Sequence, residues 1–318
     1  MKETKELKAL LHLLDDPDRE VFETVSDKII HYGKEVIPRL EYLLETTADG
    51  SVQERIEAII HKVNFNDVFV NYEKWNLAEK PGLLNGALVL ANYRHSQIDE
   101  EMIRKTIKSI YQSCWLELNN YLTPLEQINI INSIFYNMYK FKGLELEENK
   151  PAHYYLNDVV ESRKGNNYSL GLLYQIICEM LDIPVYAIQL PKQYILAYYD
   201  TMYDFFNKEK KPIYKIQFFI DPNNGMIYTQ HDVNLFISKY KIQTDEKTFL
   251  ALSHKAIIHK HFSALIHVYQ LLHEEDKVNE LKLMESLYTG DWLDVTLYNP
   301  QCMRSLAALT ANDAFMVN

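Results

Sequence analysis

Four side chains in this sequence invite a nucleophile reading: the thiols of Cys114, Cys178 and Cys302, and the hydroxyl of Ser169. A thiol or hydroxyl attacks a carbonyl only when a base within hydrogen-bond reach takes its proton. Ser169 stands half a turn into an apolar run, where a hydroxyl is expected to bond the backbone near a helix start. Cys178 lies about three turns into the same run and reads as a small buried hydrophobe. The cysteines are widely spaced, with no CxxC and no Cys/His metal spacing, and a sparse odd count suits a reducing compartment. His254, His259, His261 and His267 cluster, but no two stand four apart and there is no HExxH. Acidic ligands are not interleaved with them, so a solvated cluster is expected rather than a metal site, and no cofactor is implied. His231-Asp232 is expected to cap a helix beginning near Val233.

The bulk composition limits the classes of function. Apolar residues make up 47% and charged residues 24% of 318, a globular balance. Nine glycines and ten prolines are few for this length and favour helices. The net charge of −11 repels phosphate backbones and anionic lipid, which argues against nucleic-acid and membrane partners. No apolar stretch reaches the ~18 residues of a membrane span, and the first residues lack a signal-peptide core, so a cytoplasmic location is expected.

The elements that would hold these residues are legible in the spacing. Residues 5–63 read as two helix pairs. Leu7, Leu10, Leu11 and Leu14 precede Asp15-Asp16-Pro17-Asp18, and Val21, Val25, Ile29 and Ile30 precede Gly33. Leu40, Leu43 and Leu44 then lead to Val52, Ile56, Ile59, Ile60 and Val63. The pattern resembles HEAT-type repeats, too few to stand as an independent solenoid. Residues 64–82 are aromatic and read as irregular. Asp99 is expected to cap a helix to about Asn119, and Thr123-Pro124-Leu125-Glu126 to open another through a capping box. A helix over Tyr155–Ser162 breaks at Lys164-Gly165-Asn166-Asn167, and a helix apolar on nearly all sides, hence buried, follows to Leu181.

The period then changes. Val185–Leu190, Tyr194–Tyr199 and Tyr214–Ile220 have strand length and composition, and Asp221-Pro222-Asn223-Asn224-Gly225 is a strong turn. Tyr186, Tyr194, Tyr198, Tyr199 and Tyr214 fit β-propensity, or alternatively an aromatic wall for a peptide or glycan. Residues 246–290 return to helical spacing, with Asp276–Glu280 resembling the turn of a tetratricopeptide-type pair.

A buried helix followed by three antiparallel strands can seat a thiol at the helix N-terminus, a histidine on the second strand and an orienting acid at the end of the third. The run Leu156–Tyr174, the helix exit Leu181-Asp182-Ile183-Pro184, the segment Leu190-Pro191-Lys192-Gln193-Tyr194 and Phe219–Gly225 together resemble the signature of the transglutaminase-like superfamily, in its bacterial branch. The resemblance implies an α+β fold, predominantly helical, with a papain/transglutaminase-like core flanked by HEAT-like and tetratricopeptide-like helices. The implied domains are 1–63, 64–240 and 241–290, followed by a tail, 291–318, to which no structure is assigned. It also puts the nucleophile slot on Asn167, the base slot on Gln193 and the orienting acid on Asp221. An amide neither ionises to a nucleophile nor accepts a proton near neutrality, so a degenerate site is expected. The implied function is a non-catalytic scaffold for a protein or peptide. The alternatives are a hydrolase or acyltransferase with a relocated nucleophile such as Ser169, and a purely structural helical adaptor with the Asn167/Gln193 region closed.

Overall fold

A computed structural model describes residues 5–288, except 17, 96–97, 145–149, 191–192, 201–214 and 245. The chain forms two compact units, residues 1–78 with 92–97, and residues 79–91 with 98 onward.

The first unit holds α1 (Lys5–His12), α2 (Arg19–His31), α3 (Ile37–Thr46) and α4 (Gly50–Leu77). Caps fix the helix starts. The Asp18 carboxylate accepts from Glu20 N at 2.9 Å, and Asp49 accepts from Ser51 N at 2.8 Å. Gly33, at φ +66°, supplies the left-handed residue that turns the chain after α2. Leu7, Leu14, Ile29, Leu40, Ile56, Ile59 and Val63 form the core of this unit. Arg55 ties α4 to the turn after α1, donating to Asp16 O at 2.8 Å while its guanidinium lies 4.7 Å from the Phe22 ring.

Residues 64–77 are not irregular. They continue α4 to a length of 28 residues, so the boundary expected at 63/64 falls inside a helix. Phe65, Val68, Tyr72 and Trp75 keep a three-to-four-residue period, and no breaker intervenes before Pro81-Gly82. Tyr72 and Trp75 are buried and stack at 5.8 Å.

The second unit contains α5 (Leu83–Arg94) through Ala91, α6 (Glu100–Glu117), α7 (Pro124–Asn132), a π-helical turn (Ser133–Met138), β1 (Lys142–Gly143), α8 (Leu156–Ser162), β2 (Lys164–Gly165), α9 (Asn167–Met180), β3 (Val185–Leu190), β4 (Gln193–Tyr199), β5 (Ile216–Ile220), β6 (Ile227–Tyr228), α10 (Gln230–Lys239), α11 (His254–Leu271) and α12 (Glu275–Glu285). The capping box at Thr123 and Glu126 is formed as the sequence predicts. Asp99 caps α6 through Met102 N at 2.8 Å. For α10 the cap is Thr229, bonded reciprocally with Asp232, rather than His231-Asp232 ahead of Val233. Threonine at N-cap with a carboxylate at N3 outcompetes the later pair because it satisfies two terminal donors at once. The turn between α11 and α12 lies at residues 272–274, and Asp276–Glu280 forms the first turns of α12 instead.

The fold is α+β and predominantly helical. β3-β4-β5-β6 form one antiparallel sheet, with Leu190 opposite Gln193 and Leu196 opposite Ile220. Every residue of α9 from Ser169 to Cys178 is buried, as its all-round apolar sequence requires. One sheet face packs on α9. The other buries Tyr186, Ile188, Leu190, Ile195, Ala197, Tyr199 and Phe219 with Val233 of α10 and with Phe249 and Ala251. The outer edge of β3 is closed to further pairing at Ala187. Its N–H donates to Gln175 Oε1 at 2.8 Å, and its carbonyl accepts from Leu252 N at 2.8 Å.

The strand tyrosines do not form a binding wall. Tyr186, Tyr194, Tyr198 and Tyr199 are all buried. Tyr199 OH donates to Phe249 O at 2.8 Å and Tyr198 OH to Gln127 Oε1 at 3.2 Å, while the Tyr194 hydroxyl is buried without a partner, so these rings are core. Tyr214, the expected start of the third strand, and the tail beyond residue 290 lie outside the described residues.

His254 fastens the start of α11 to the rest of this unit. Its Nδ1 lies 2.7 Å from Pro81 O and its Nε2 2.8 Å from Glu179 Oε1. A ring with an acceptor at each nitrogen satisfies both only as the imidazolium. Burial is the largest single influence and opposes the charge, but the Glu179 hydrogen bond, the Glu179 charge and the Pro81 carbonyl together outweigh it and the pKa is raised. A raised folded pKa means the stabilisation is complete below about pH 6.5 and is lost as pH rises through the folded value. His254→Leu is therefore expected to lose most stability at pH 6 and least at pH 9 in urea titrations, whereas an equal loss at both would show that the ring only fills space.

Candidate functional site

Three segments converge on the N-terminal half of α9. Asn166 caps the helix, its Oδ1 accepting from Tyr168 N at 3.0 Å and Ser169 N at 3.1 Å. Ser169 Oγ returns the bond, accepting from Asn166 N at 3.1 Å, and donates to His153 O at 2.6 Å. At 2% exposure this hydroxyl is enclosed, and no titratable side chain is among its hydrogen-bond partners. Gly165 is required just before the cap, because a Cβ there would lie 2.6 Å from Ser169 Oγ.

One turn into α9, a Cβ on Gly171 would stand 2.7 Å from the Tyr194 ring and 3.2 Å from Pro222. The helix, the start of β4 and the turn after β5 thus meet at a position where only glycine fits. Tyr194 follows Gln193 and Pro222 follows Asp221, so Gly171 of α9 packs against the chain neighbours of two of the three expected positions. Asn167 Oδ1 accepts from Tyr168 N at 3.1 Å, and Asp221 Oδ1 from Asn223 N at 2.9 Å, both local bonds of a helix start and an Asx turn. Of Gln193 the structure describes the backbone, which pairs with Leu190 as the last pair of the β3–β4 ladder before the connection between the two strands.

The turn carrying Asp221 is held from three sides. Gly225, at φ +75°, gives its N–H to Asp221 O at 2.8 Å. Asn132 Nδ2 donates to Gly225 O and Tyr136 OH to Pro222 O, each at 2.8 Å, from α7 and the π-helical turn. Tyr174 OH of α9 donates to Asn132 Oδ1 at 2.9 Å. Gly143 N of β1 donates to Asn223 O at 2.9 Å, while Leu144 N donates to Gly165 O at 3.0 Å. β1 and β2 therefore join the approach to α9 directly to the Asp221 turn. Tyr174→Phe would leave Asn132 Oδ1 without its buried donor, and the expected cost is about 1–3 kcal/mol in urea denaturation. No loss there would mean the turn is held by packing alone.

Spacing alone did not single out the aromatic and histidine side chains around the helix start. The Tyr168 ring packs 4.9 Å from Tyr194 and 5.8 Å from His261. His261 is 1% exposed, with Nδ1 3.0 Å from Ile257 O and no partner for Nε2. Burial lowers its pKa to about 4, so the ring is neutral. It lines, with Tyr154, Ser169 and Leu172, a small cavity with room for about one water molecule. The other histidines go elsewhere: His259 stacks on Tyr288 at 4.1 Å, His254 bonds Glu179, and His267 is exposed. Among the described residues no group of three His, Cys, Asp or Glu side chains is placed to hold a metal. The thiols of Cys114 and Cys178 are buried, which pushes the first up to about 12 and raises the second further from thiolate formation. Among the described residues no helix is long and apolar enough to cross a membrane.

With that geometry in hand, comparison with known proteins is specific. No solved structure matches the chain. The UPF0162 protein PM0557 of Pasteurella multocida is 26% identical over 98 residues, 31% of this chain and 37% of that protein. The UPF0162 protein BU173 of Buchnera aphidicola is 25% identical over 114 residues, 36% of this chain and 38% of that protein. The chain thus spans little more than a third of the length of the curated relatives it matches. Residues 101–262, half of the chain, match the profile of the transglutaminase-like superfamily, and they contain the convergence of α9, β4 and the Asp221 turn. The chain belongs to the transglutaminase-like superfamily.

Proposed function

We propose that this chain is a non-catalytic member of its superfamily that acts as a binding scaffold for a protein or peptide. The observation that carries the reading is the helix start itself. Two asparagines occupy it, Asn166 as the cap and Asn167 beside it, and the nearest hydroxyl, Ser169, is enclosed with its proton committed to His153 O. Gln193 stands where the family logic asks for a base, and an amide does not take up a proton near neutrality. A relocated serine nucleophile needs an accessible hydroxyl and an adjacent base, and Ser169 has neither among its bonded partners. Cytoplasmic residence, HEAT-like and tetratricopeptide-like flanks and a protein partner remain part of this proposal. They rest on the sparse, widely spaced cysteines, on the helix pairs and on the acidic charge.

The test uses the full chain with a glutamine-bearing peptide and a fluorescent primary amine, alongside ester and amide hydrolysis. No turnover above buffer is expected, together with retention of a protein partner from native lysate. Thiol-independent turnover that disappears in Asn167→Ala or Ser169→Ala, with no partner retained, would overturn the proposal.

A further inference from the structure

His261 Nε2 is a buried polar atom with no partner on the protein. Buried groups of this kind are almost always paired with protein or with an ordered water, because leaving them bare forfeits their hydration. The other ring nitrogen decides what Nε2 needs. Nδ1 lies 3.0 Å from Ile257 O. A carbonyl only accepts, so Nδ1 carries the proton of the neutral ring. Nε2 is left with a lone pair and requires a donor. Tyr168 O also approaches the ring, but it is an acceptor and cannot supply one.

The cavity beside the ring has the room. It offers about 10 Å³ to a water, close to the least that one water needs and too little for a larger molecule. Ala87, Leu90 and Leu172 form apolar walls, and Ser169 lines the cavity together with His261. The Ser169 hydroxyl gives its proton to His153 O at 2.6 Å and accepts from Asn166 N at 3.1 Å. A hydroxyl oxygen has two lone pairs, so one more remains to be filled. Two acceptors, each short of one donor, thus line one water-sized space. A water has two protons to give, and the match is one to one.

We propose that a single ordered water occupies this cavity and donates one proton to His261 Nε2 and the other to Ser169 Oγ, joining α11 to the capped start of α9. Ser169 keeps its own proton on His153 O, so the water is not a base for that hydroxyl, and the inference is independent of the function proposed above. Protonating Nε2 would turn an acceptor into a donor and force the water to reorient, in keeping with a ring that resists charge.

The full chain tests this directly. A high-resolution crystal structure is expected to show a solvent peak within about 2.7–3.2 Å of both His261 Nε2 and Ser169 Oγ. In solution, nitrogen-15 spectra should show the Nδ1–H tautomer, with Nε2 shielded relative to a bare lone pair. The ring protons should also show Overhauser contacts to a water held longer than molecular tumbling, and His261→Leu identifies these signals by removing them. Ala87→Val fills the cavity without altering either acceptor, and should abolish the water contact and shift Nε2 to the bare position. An empty cavity, a water bonded to only one of the two atoms, or the Nε2–H tautomer would each overturn the proposal. So would an unshifted Nε2 signal in folded Ala87→Val. If that variant does not fold, the wild-type measurements decide alone.

Discussion

Replacing His261 with leucine is expected to remove about 3 kcal/mol of acid sensitivity from the fold. In the unfolded chain an imidazole titrates near 6.5, and in the folded protein burial holds His261 at about 4. The folded value is depressed, so the unfolded state binds the proton more readily at every pH between the two. Stability is therefore complete above about pH 6.5 and falls by about 1.4 kcal/mol per pH unit toward pH 4. The native ring loses little by substitution: Nδ1 donates to Ile257 O, a carbonyl already within the helix ladder, and Nε2 is unpartnered. Leucine should thus cost little at pH 8 and gain steadily below pH 6.5. Urea titrations of wild type and His261→Leu at pH 8, 6, 5 and 4.5 give the difference directly, with the carboxylates common to both cancelling. His254 titrates with the opposite sign, since its pKa is raised by Glu179, and His261→Leu in a His254→Leu background separates the two. Parallel stability profiles for wild type and His261→Leu would mean that the ring hydrates in the folded state.

The chain order of elements was legible because most helices here announce themselves locally. Asp18, Asp99 and Thr123 cap where a hydrogen-bonding side chain precedes an apolar period, and the all-round apolar run of α9 could only be buried. What local reading missed depended on partners distant in sequence. The aromatic positions 65–75 looked irregular because their period was spread over β-branched and polar neighbours, yet α4 runs through them. β1 and β2 are two residues each and exist only because they bond one another and Asn223, a relation no window of sequence contains. The strand tyrosines suited a surface as well as a core until the sheet was seen to be covered on both faces. At the site, the sequence pattern marks Asn167, Gln193 and Asp221, and Gly171 of α9 packs against Tyr194 and Pro222, the chain neighbours of the last two. The spacing of His261 suits one of a solvated cluster. Its burial beside Tyr168 follows from how α11 packs on α9, which its own spacing does not encode.

Gly143→Ala should be among the most damaging single-methyl additions in the protein, at about 3–4 kcal/mol. A Cβ at this position would stand 2.5 Å from Asn223 Cβ and 2.7 Å from both Asn223 Cα and its carbonyl oxygen. Two of those three atoms are backbone, so no rotamer change relieves the clash, and β1 must separate from the turn. Separation breaks the 2.9 Å bond from Gly143 N to Asn223 O and loosens the ladder to Gly165 on the other side. The turn itself has little freedom to retreat, because Tyr136 and Asn132 grip Pro222 and Gly225 from behind. Gly50→Ala is the matched control. It opens α4, a Cβ there meets nothing within 4 Å, and alanine should leave stability unchanged or raise it by up to about 1 kcal/mol. The contrast separates steric closure from the general loss of a glycine, since both variants remove the same backbone freedom from the unfolded chain. If Gly143→Ala unfolds within 1 kcal/mol of wild type in urea, β1 is not wedged against the Asp221 turn, and the junction between the two halves of the site is looser than the hydrogen bonds imply. If the predicted loss is found, the three segments around α9 are a single interlocked unit in which the turn after β5 positions Asp221 only while glycine occupies residue 143.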